Sequence, residues 1–345
     1  MSAVANQVGA LRRKAGVQGV PPIVPAIVVL TVLLFVYGSV RQNAFTDFSM
    51  QELSNVTATL AILADGQTLV VISGGFDFSA VAVLAFLNAF FVTQIDNLSG
   101  SYVLVSIVVL AVAVGIGTIN GLLVGYLRVQ SIIATIAMFF VLSGGALALL
   151  NRPGGSVSSA FSLALSEAWG PIPASAGVMA IVALIWLALK RLRYGNHLYA
   201  VGSNAQAAYA RGVPVKRTLV ATYALAGLFY GIAALNYTAA TASGDPRISF
   251  VLLGQMFAAV VIGGTAFGGG RGGAVGSILG ALSLALLEAI LFSLGFESFY
   301  SGIVFGLVLM LVVLPTSIGG QAIGWFKSRR APAAQPALAT PGTEE

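Results

Sequence analysis

The sequence predicts an all-α fold, a polytopic helical membrane protein with about ten transmembrane helices. Three observations carry that prediction. Of 345 residues, 58% are apolar and only 8% charged, whereas an average soluble domain carries about 25% charged residues. The mean hydropathy is +0.95. The apolar residues are also gathered into runs, each near the roughly 20 residues that a helical span requires. Such a chain, with 41 glycines and no cysteine, is no soluble enzyme, disordered chain, disulfide scaffold or cysteine-based metal site.

The first run, near 21–40, follows Leu11-Arg12-Arg13-Lys14. It is longer than a signal-peptide core and ends in Ser39-Val40-Arg41-Gln42 without a small-residue cleavage site, so a retained span is expected. Further runs fall near 53–72, 78–95, 102–127, 131–150, 174–190, 218–240, 250–268, 273–294 and 299–315. Residues 1–20 form an N-terminal segment and 21–320 the membrane domain. Residues 321–345, with Pro332, Pro336 and Pro341, read as a disordered tail.

Charge sets the orientation. With ten spans and the N-terminus inside, fourteen basic residues fall on the cytoplasmic side, from Arg12 through Arg128, Lys190, Arg211, Lys216 and Arg271 to Arg330. Only Arg41, Arg152 and Arg247 fall outside. That split follows the positive-inside rule and puts both termini in the cytoplasm. The net charge of +6 is therefore a membrane signature rather than a footprint for nucleic acid, which is not expected as a partner.

Glycines four apart, at Gly117, Gly121 and Gly125, at Gly227 and Gly231, and at Gly272, Gly276 and Gly280, predict helix faces in close contact. The longest basic loop, 190–217, contains its own short helix. Ser203 or Asn204 can cap it, alanines favour it, Gly212 suits a left-handed stop and Pro214 prevents continuation. Two turns of helix do not persist alone in water. It packs on its own protein or receives a partner.

Two glycine pairs end apolar runs, in Ser73-Gly74-Gly75-Phe76-Asp77-Phe78-Ser79 and in Ile262-Gly263-Gly264-Thr265 running on to Gly272. Asp77 and Ser79 can cap the next span. The second segment has one basic residue, Arg271, and lacks the lysine of a nucleotide-binding loop. Asp65 and Glu288 are the acids deepest in apolar runs, open to ion coupling or to structural pairing. Asp65 adjoins Gly66-Gln67, where a break in the helix is expected. His197, the only histidine, lies in the basic loop and is read as neither ligand nor base.

These segments resemble a family. Gly202 to Val213 resembles the G-x-N-x-x-A-A-x-x-x-G-[IV] loop of bacterial ABC sugar-importer permeases of the ribose, xylose and arabinose type, within the branched-chain amino-acid permease superfamily. Gly74 to Ser79 is similar to their G-G-I-D-L-S segment. Ala258-Ala259-Val260-Val261-Ile262-Gly263-Gly264-Thr265 with Gly269-Gly270 is similar to their A-A-V-V-I-G-G-T-x-x-x-G-G signature, and 130–135 resembles Q-P-F-I-A-T with Ser131 in place of proline. The resemblance covers roughly residues 20–320.

It implies a type II ABC importer-like permease in the bacterial inner membrane, without catalysis or cofactor of its own. It also implies a cytoplasmic ABC ATPase that binds the ATP, a periplasmic sugar-binding protein, and a second permease subunit in a homodimer or heterodimer, all in contact with membrane lipid. Loop 190–217 becomes the coupling loop, with Asn204, Ala207, Ala208, Arg211 and Gly212 in the helix that meets the ATPase. Asn88, Asn120, Asn236 and Gln255 are candidates for the path, although the first reading of each is a hydrogen bond between helices. Gly74, Gly75, Asp77, Gly263 and Gly264 are candidates for the path or its gate. The alternatives are a branched-chain amino-acid or nucleoside ABC permease and, more remotely, an ion-coupled secondary transporter.

Overall fold

Each apolar run within the described residues forms a helix over all or part of its length, and most helices stop at a cap or a glycine turn. The computed structural model describes residues 23–95, 101–169, 172–247, 250–297, 300, 302–307 and 310. The expected N-terminal segment, the tail and most of the run near 299–315 lie outside them; within that run, residues 302–307 are helical.

Helix α1 is Ile23–Val40 and α2 Asp47–Ile72, whose Thr46 cap accepts a hydrogen bond from Ser49 N. The next are α3, Ala80–Gln94, and α4, Tyr102–Gly125, the latter capped by Ser101. Helix α5 is Ser131–Leu149. Then come a short helix α6, Ser159–Ser166, and a two-residue hairpin of β1, Ala168–Trp169, against β2, Ile172–Pro173. Neither was legible in the sequence. Helix α7, Ala174–Arg191, leads to two helices in the basic segment, α8, Arg193–Ser203, and α9, Ala205–Ala210. Long helix α10, Val215–Thr241, is followed by α11, Phe250–Ile262, and α12, Ala274–Ser293. The fold is all-α apart from the hairpin, as expected.

Among the described residues, seven helices are long and apolar enough to cross a membrane. Helices α3 and α11 fall short of the roughly 20 residues of a full span. The apolar run near 250–268 does not continue as helix because Gly263-Gly264 turns the chain at Ile262. Short helices survive at membrane depth where neighbouring protein covers their ends.

The centre of the bundle is α2. In its most apolar window 89% of residues are buried, and the helix is surrounded by protein although Thr57, Thr59, Asp65, Gln67 and Thr68 are among the buried residues. It packs on α10, α11, α12 and α7, and Thr68 shares a 2.6 Å hydrogen bond with Ser277 of α12.

The glycine faces do what their spacing predicts, except that Gly272 lies in the loop before α12 and not on a helix. Along the α4–α10 seam, a Cβ on Gly121 would sit 2.7 Å from Val220 Cα, and one on Gly125 3.0 Å from the Lys216 carbonyl. On Gly227 it would lie 3.1 Å from Gly117 Cα. Backbones at this distance gain dispersion energy that side chains would block.

Gly66 does not break α2, which is helical without interruption from Asp47 to Ile72. A Cβ there would lie 2.6 Å from the ring of Tyr230. The glycine makes room for a buried tyrosine of α10, and that packing outweighs the helix penalty of about 1 kcal/mol.

Candidate functional site

Both glycine turns are built alike. After α2, Gly74 N donates to Val71 O and Gly75 N to Val70 O; after α11, Gly264 N donates to Val261 O and Thr265 N to Val260 O. These pairings satisfy carbonyls that a helix end leaves open. They require a left-handed residue, and φ is +89° at Gly74 and +82° at Gly264.

The two turns meet, and α8 meets both. Gly270 N donates to Ile72 O at 2.9 Å. A Cβ on Gly269 would lie 3.1 Å from Gly74 Cα and 2.6 Å from Gly202 O. One on Gly202 would fall on the Ile72 carbonyl itself. Tyr199 Oη donates to Gly272 O at 2.7 Å, and Tyr194 Oη lies 3.0 Å from Thr222 Oγ1 of α10. Three separately noted sequence segments thus form one backbone junction.

Helix α8 occupies a stretch that the sequence presents as basic loop. Its inward residues Tyr194, Leu198 and Val201 stand at helical spacing, with Leu198 and Val201 buried, but basic residues on their N-terminal side hid that face. Helix α9 appears where its punctuation placed it. Asn204 Oδ1 accepts from Ala207 N at 2.9 Å, and Gly212 takes φ of +82° just past the helix.

Of the residues singled out in α9 and its caps, Ala208 is turned inward and buried, while Asn204, Ala207, Arg211 and Gly212 are exposed. Tyr209, which the sequence did not single out, is the most prominent group on the outer face at 75% exposure.

The segment 74–79 is stitched to its neighbours. Asp77 Oδ1 accepts from Ser79 N at 2.8 Å and from Ser79 Oγ at 2.5 Å, and Asn120 Nδ2 of α4 donates to Ser79 Oγ at 3.0 Å. Phe76 N donates to Ser131 Oγ and Phe78 N to Thr135 Oγ1, at the start of α5. The Gln67 side-chain amide spans the backbone N and O of Asp77, at 3.2 and 3.1 Å, with Tyr230 Oη 3.2 Å away. Ser79 therefore does not cap α3 with its own side chain. Asp77 holds it instead.

Between the turns four phenylalanines cluster. Phe76 and Phe78 come from the first loop, Phe257 from α11 and Phe267 from the second loop, with ring centroids 5.2–6.4 Å apart in the contacting pairs. Their separation in sequence left no signal of the cluster.

The remaining polar residues divide. Asn88 ties α3 to the far end of α10, donating to Thr238 Oγ1 at 2.8 Å and Ser243 O at 3.1 Å and accepting from Asp245 N at 2.7 Å. Asn236 donates to Thr59 Oγ1 of α2 at 3.0 Å. Asn88, Asn120 and Asn236 are all buried. Gln255 instead lines a cavity at the end of the bundle opposite α8 and α9. Gly263 packs backbone to backbone on Gly276 of α12. The described residues include no cluster of three metal-ligating side chains.

Comparison with known proteins follows the same outline. Residues 49–313 match the family described as branched-chain amino acid transport system / permease component. The chain is 32% identical over 255 residues to the ribose import permease protein of Escherichia coli K12, covering 71% of this chain and 78% of that one. It is 30% identical over 264 residues to the galactose/methyl galactoside import permease protein of Haemophilus influenzae, covering 69% and 78%. The ribose import permease protein of Bacillus subtilis is 30% identical over 255 residues, covering 70% and 76%. No solved structure matches. The chain belongs to the branched-chain amino acid transport system permease family.

Proposed function

We propose that this permease component passes a monosaccharide across the bacterial inner membrane, receiving it from a periplasmic sugar-binding protein and drawing work from a cytoplasmic ABC ATPase. The chain is itself a transport subunit of an ABC importer and not an enzyme. ATP belongs to the partner.

The observation that carries the coupling is α9. It is a six-residue helix, far too short to persist alone, held from below through Ala208 and offering Asn204, Ala207, Tyr209 and Arg211 outward. A partner with an acidic rim would complement Arg211, Lys216 and Arg217. Beneath it, the Gly202–Ile72–Gly270 junction connects α8 to the ends of α2 and of the α11–α12 loop. Motion of the ATPase against α9 reaches both glycine turns, and the phenylalanines between them form the gate. In this reading Gln255 lies on the path, while Asn88, Asn120 and Asn236 hold the frame. Residues 21–320 are the permease domain, and both termini face the cytoplasm. A second permease subunit completes the pathway. The sugar assignment follows from the ribose and galactose permeases to which the chain is similar.

The test is reconstitution in vesicles with the ATPase and binding protein. ATP-dependent accumulation of labelled D-ribose or D-galactose is expected. Accumulation of a branched-chain amino acid or a nucleoside in their place would remove the sugar assignment while leaving the ABC permease intact.

A further inference from the structure

One cavity stands at the end of the bundle opposite α8 and α9. Its walls are the second to fourth turns of α2, the start of α11, the last turns of α10 and residues 285 and 288 of α12, and this half-open cleft measures about 380 Å³. A second lobe of about 240 Å³ adjoins it across Val56 and Glu288. Together they reach the size range of small-ligand sites.

The polar groups on its walls are unevenly matched. Glu52 is paired with Arg41 at 2.9 Å, and Arg41 also donates to Tyr37 Oη at 3.0 Å. Glu288 of α12 and Gln255 of α11 line the larger lobe, and neither has a hydrogen bond or ion pair among the described residues. An unpaired carboxylate in a membrane helix is costly, and Glu288 faces a cavity in which water or a ligand can supply its hydrogen bonds. Asn55 and Thr241 add further polar groups to the same wall, and Tyr237 an aromatic ring.

We infer that this cavity is a low-affinity carbohydrate site, in which Glu288 and Gln255 select the hydroxyl pattern that passes. The inference rests on the sugar reading above and adds the residues that discriminate. A carboxylate accepts hydrogen bonds from two hydroxyls at once, an amide both donates and accepts, and an aromatic ring covers a sugar's C–H face. Glu288 shares its wall with Gln255, Asn55 and Thr241, so acceptors and donors stand together as a polyol requires, while an organic cation, which an unpaired carboxylate also attracts, is the competing occupant tested below. Weak binding is what a path needs, because a tightly held substrate does not leave.

The absence of native cysteine gives a direct test. In the assembled transporter, Ala240→Cys places a thiol on the cavity wall. D-ribose or D-galactose, whichever the transporter accumulates, should slow its alkylation severalfold, and Glu288→Ala or Gln255→Ala should abolish the protection. Either alanine variant should also lower sugar uptake per ATP hydrolysed roughly tenfold, the scale of a lost hydrogen bond to a charged group. Glu288→Gln keeps part of that capacity and should retain intermediate uptake. Wild-type accumulation of sugar with no protection, and with both alanine variants unimpaired, overturns this site alone. Protection by choline but not by sugar overturns the neutral-substrate assignment. A wild-type transporter that moves no monosaccharide removes the sugar reading and this site with it.

Discussion

Gly270 donates its backbone N–H to the carbonyl of Ile72 at 2.9 Å, so the loop between α11 and α12 closes the last open carbonyl of α2. The same carbonyl is covered from the other side by Gly202 of α8, at a distance that admits no Cβ. Close-packed contacts transmit displacement because they have no slack. The junction is therefore a rigid link between the α8–α9 unit and the central helix of the bundle.

Gly202→Ala should break that link. The added methyl group meets backbone and not a flexible side chain, and overpacking of this kind costs about 1–3 kcal/mol. The expected outcome is at least a tenfold loss of ATP-driven uptake with the ATPase still bound, read by uptake and co-purification side by side. Gly254→Ala is the control, since a Cβ there meets nothing within 4 Å. It should keep uptake and raise thermal stability slightly through helix propensity. Equal uptake in the two variants would remove the junction from the coupling route.

The outward face of α9 makes a second prediction. Tyr209→Ala and Ala207→Trp alter exposed groups and should weaken ATPase co-purification about tenfold or more, as expected where an aromatic anchors an interface. Ala208→Trp acts differently. It fills a buried position, so it should lower the melting temperature of the permease even without the ATPase. Unaltered ATPase binding in both outer-face variants would move the docking surface elsewhere.

What was legible depended on how local the signal is. The nine apolar runs that became helices, the Asn204 cap and the Gly212 stop are written within a few residues of one another. The α4–α10 seam was readable as a glycine spacing, though not which helix would meet which. Tertiary packing decided the rest. Gly66 reads as a helix break until Tyr230 is seen against it. The phenylalanine cluster joins residues nearly two hundred positions apart, and the Glu288 cavity needs four helices to define it. Ser131, which departs from proline in the family pattern, gained meaning only when its hydroxyl was found under Phe76 N.

The glycine seam predicts a stability asymmetry within one helix. Gly121→Leu forces α4 away from Val220 and should lower the melting temperature in detergent by several degrees, consistent with a cost of a few kcal/mol. Gly115→Leu, six residues earlier where a Cβ meets no neighbour, should leave it unchanged. Similar losses at both positions would show that the seam is not what holds the two helices.

Orientation is open to thiol labelling because every introduced cysteine is the only one. Ser156 and Ser203 are both exposed, in the α5–α6 loop and at the end of α8. A membrane-impermeant reagent should modify Ser156→Cys in intact cells and Ser203→Cys only after permeabilisation. The reverse pattern would invert the topology, and with it the side on which the ATPase is sought.

Asp65 and Glu288 are the acids deepest in the apolar runs, and the structure separates them. Thr68 and Ser277 hydrogen-bond across α2 and α12 and mark a common depth. Asp65 lies three residues beyond that mark and Glu288 eleven, which at 1.5 Å per residue leaves roughly 12 Å between them along the helix axes. Asp65 is fully buried, and neither of its carboxylate oxygens has a hydrogen-bond partner. A proton relay needs a connected series of such groups. An ion can shift a conformational equilibrium only through its differential affinity for the two states. Asp65→Asn should accordingly leave ATP-driven uptake and its dependence on pH as they are. Vesicles containing the purified permease alone should accumulate no monosaccharide under a proton or sodium gradient. Gradient-driven uptake that Asp65→Asn abolishes would make this chain a secondary transporter, and the ATPase-dependent route would have to be given up.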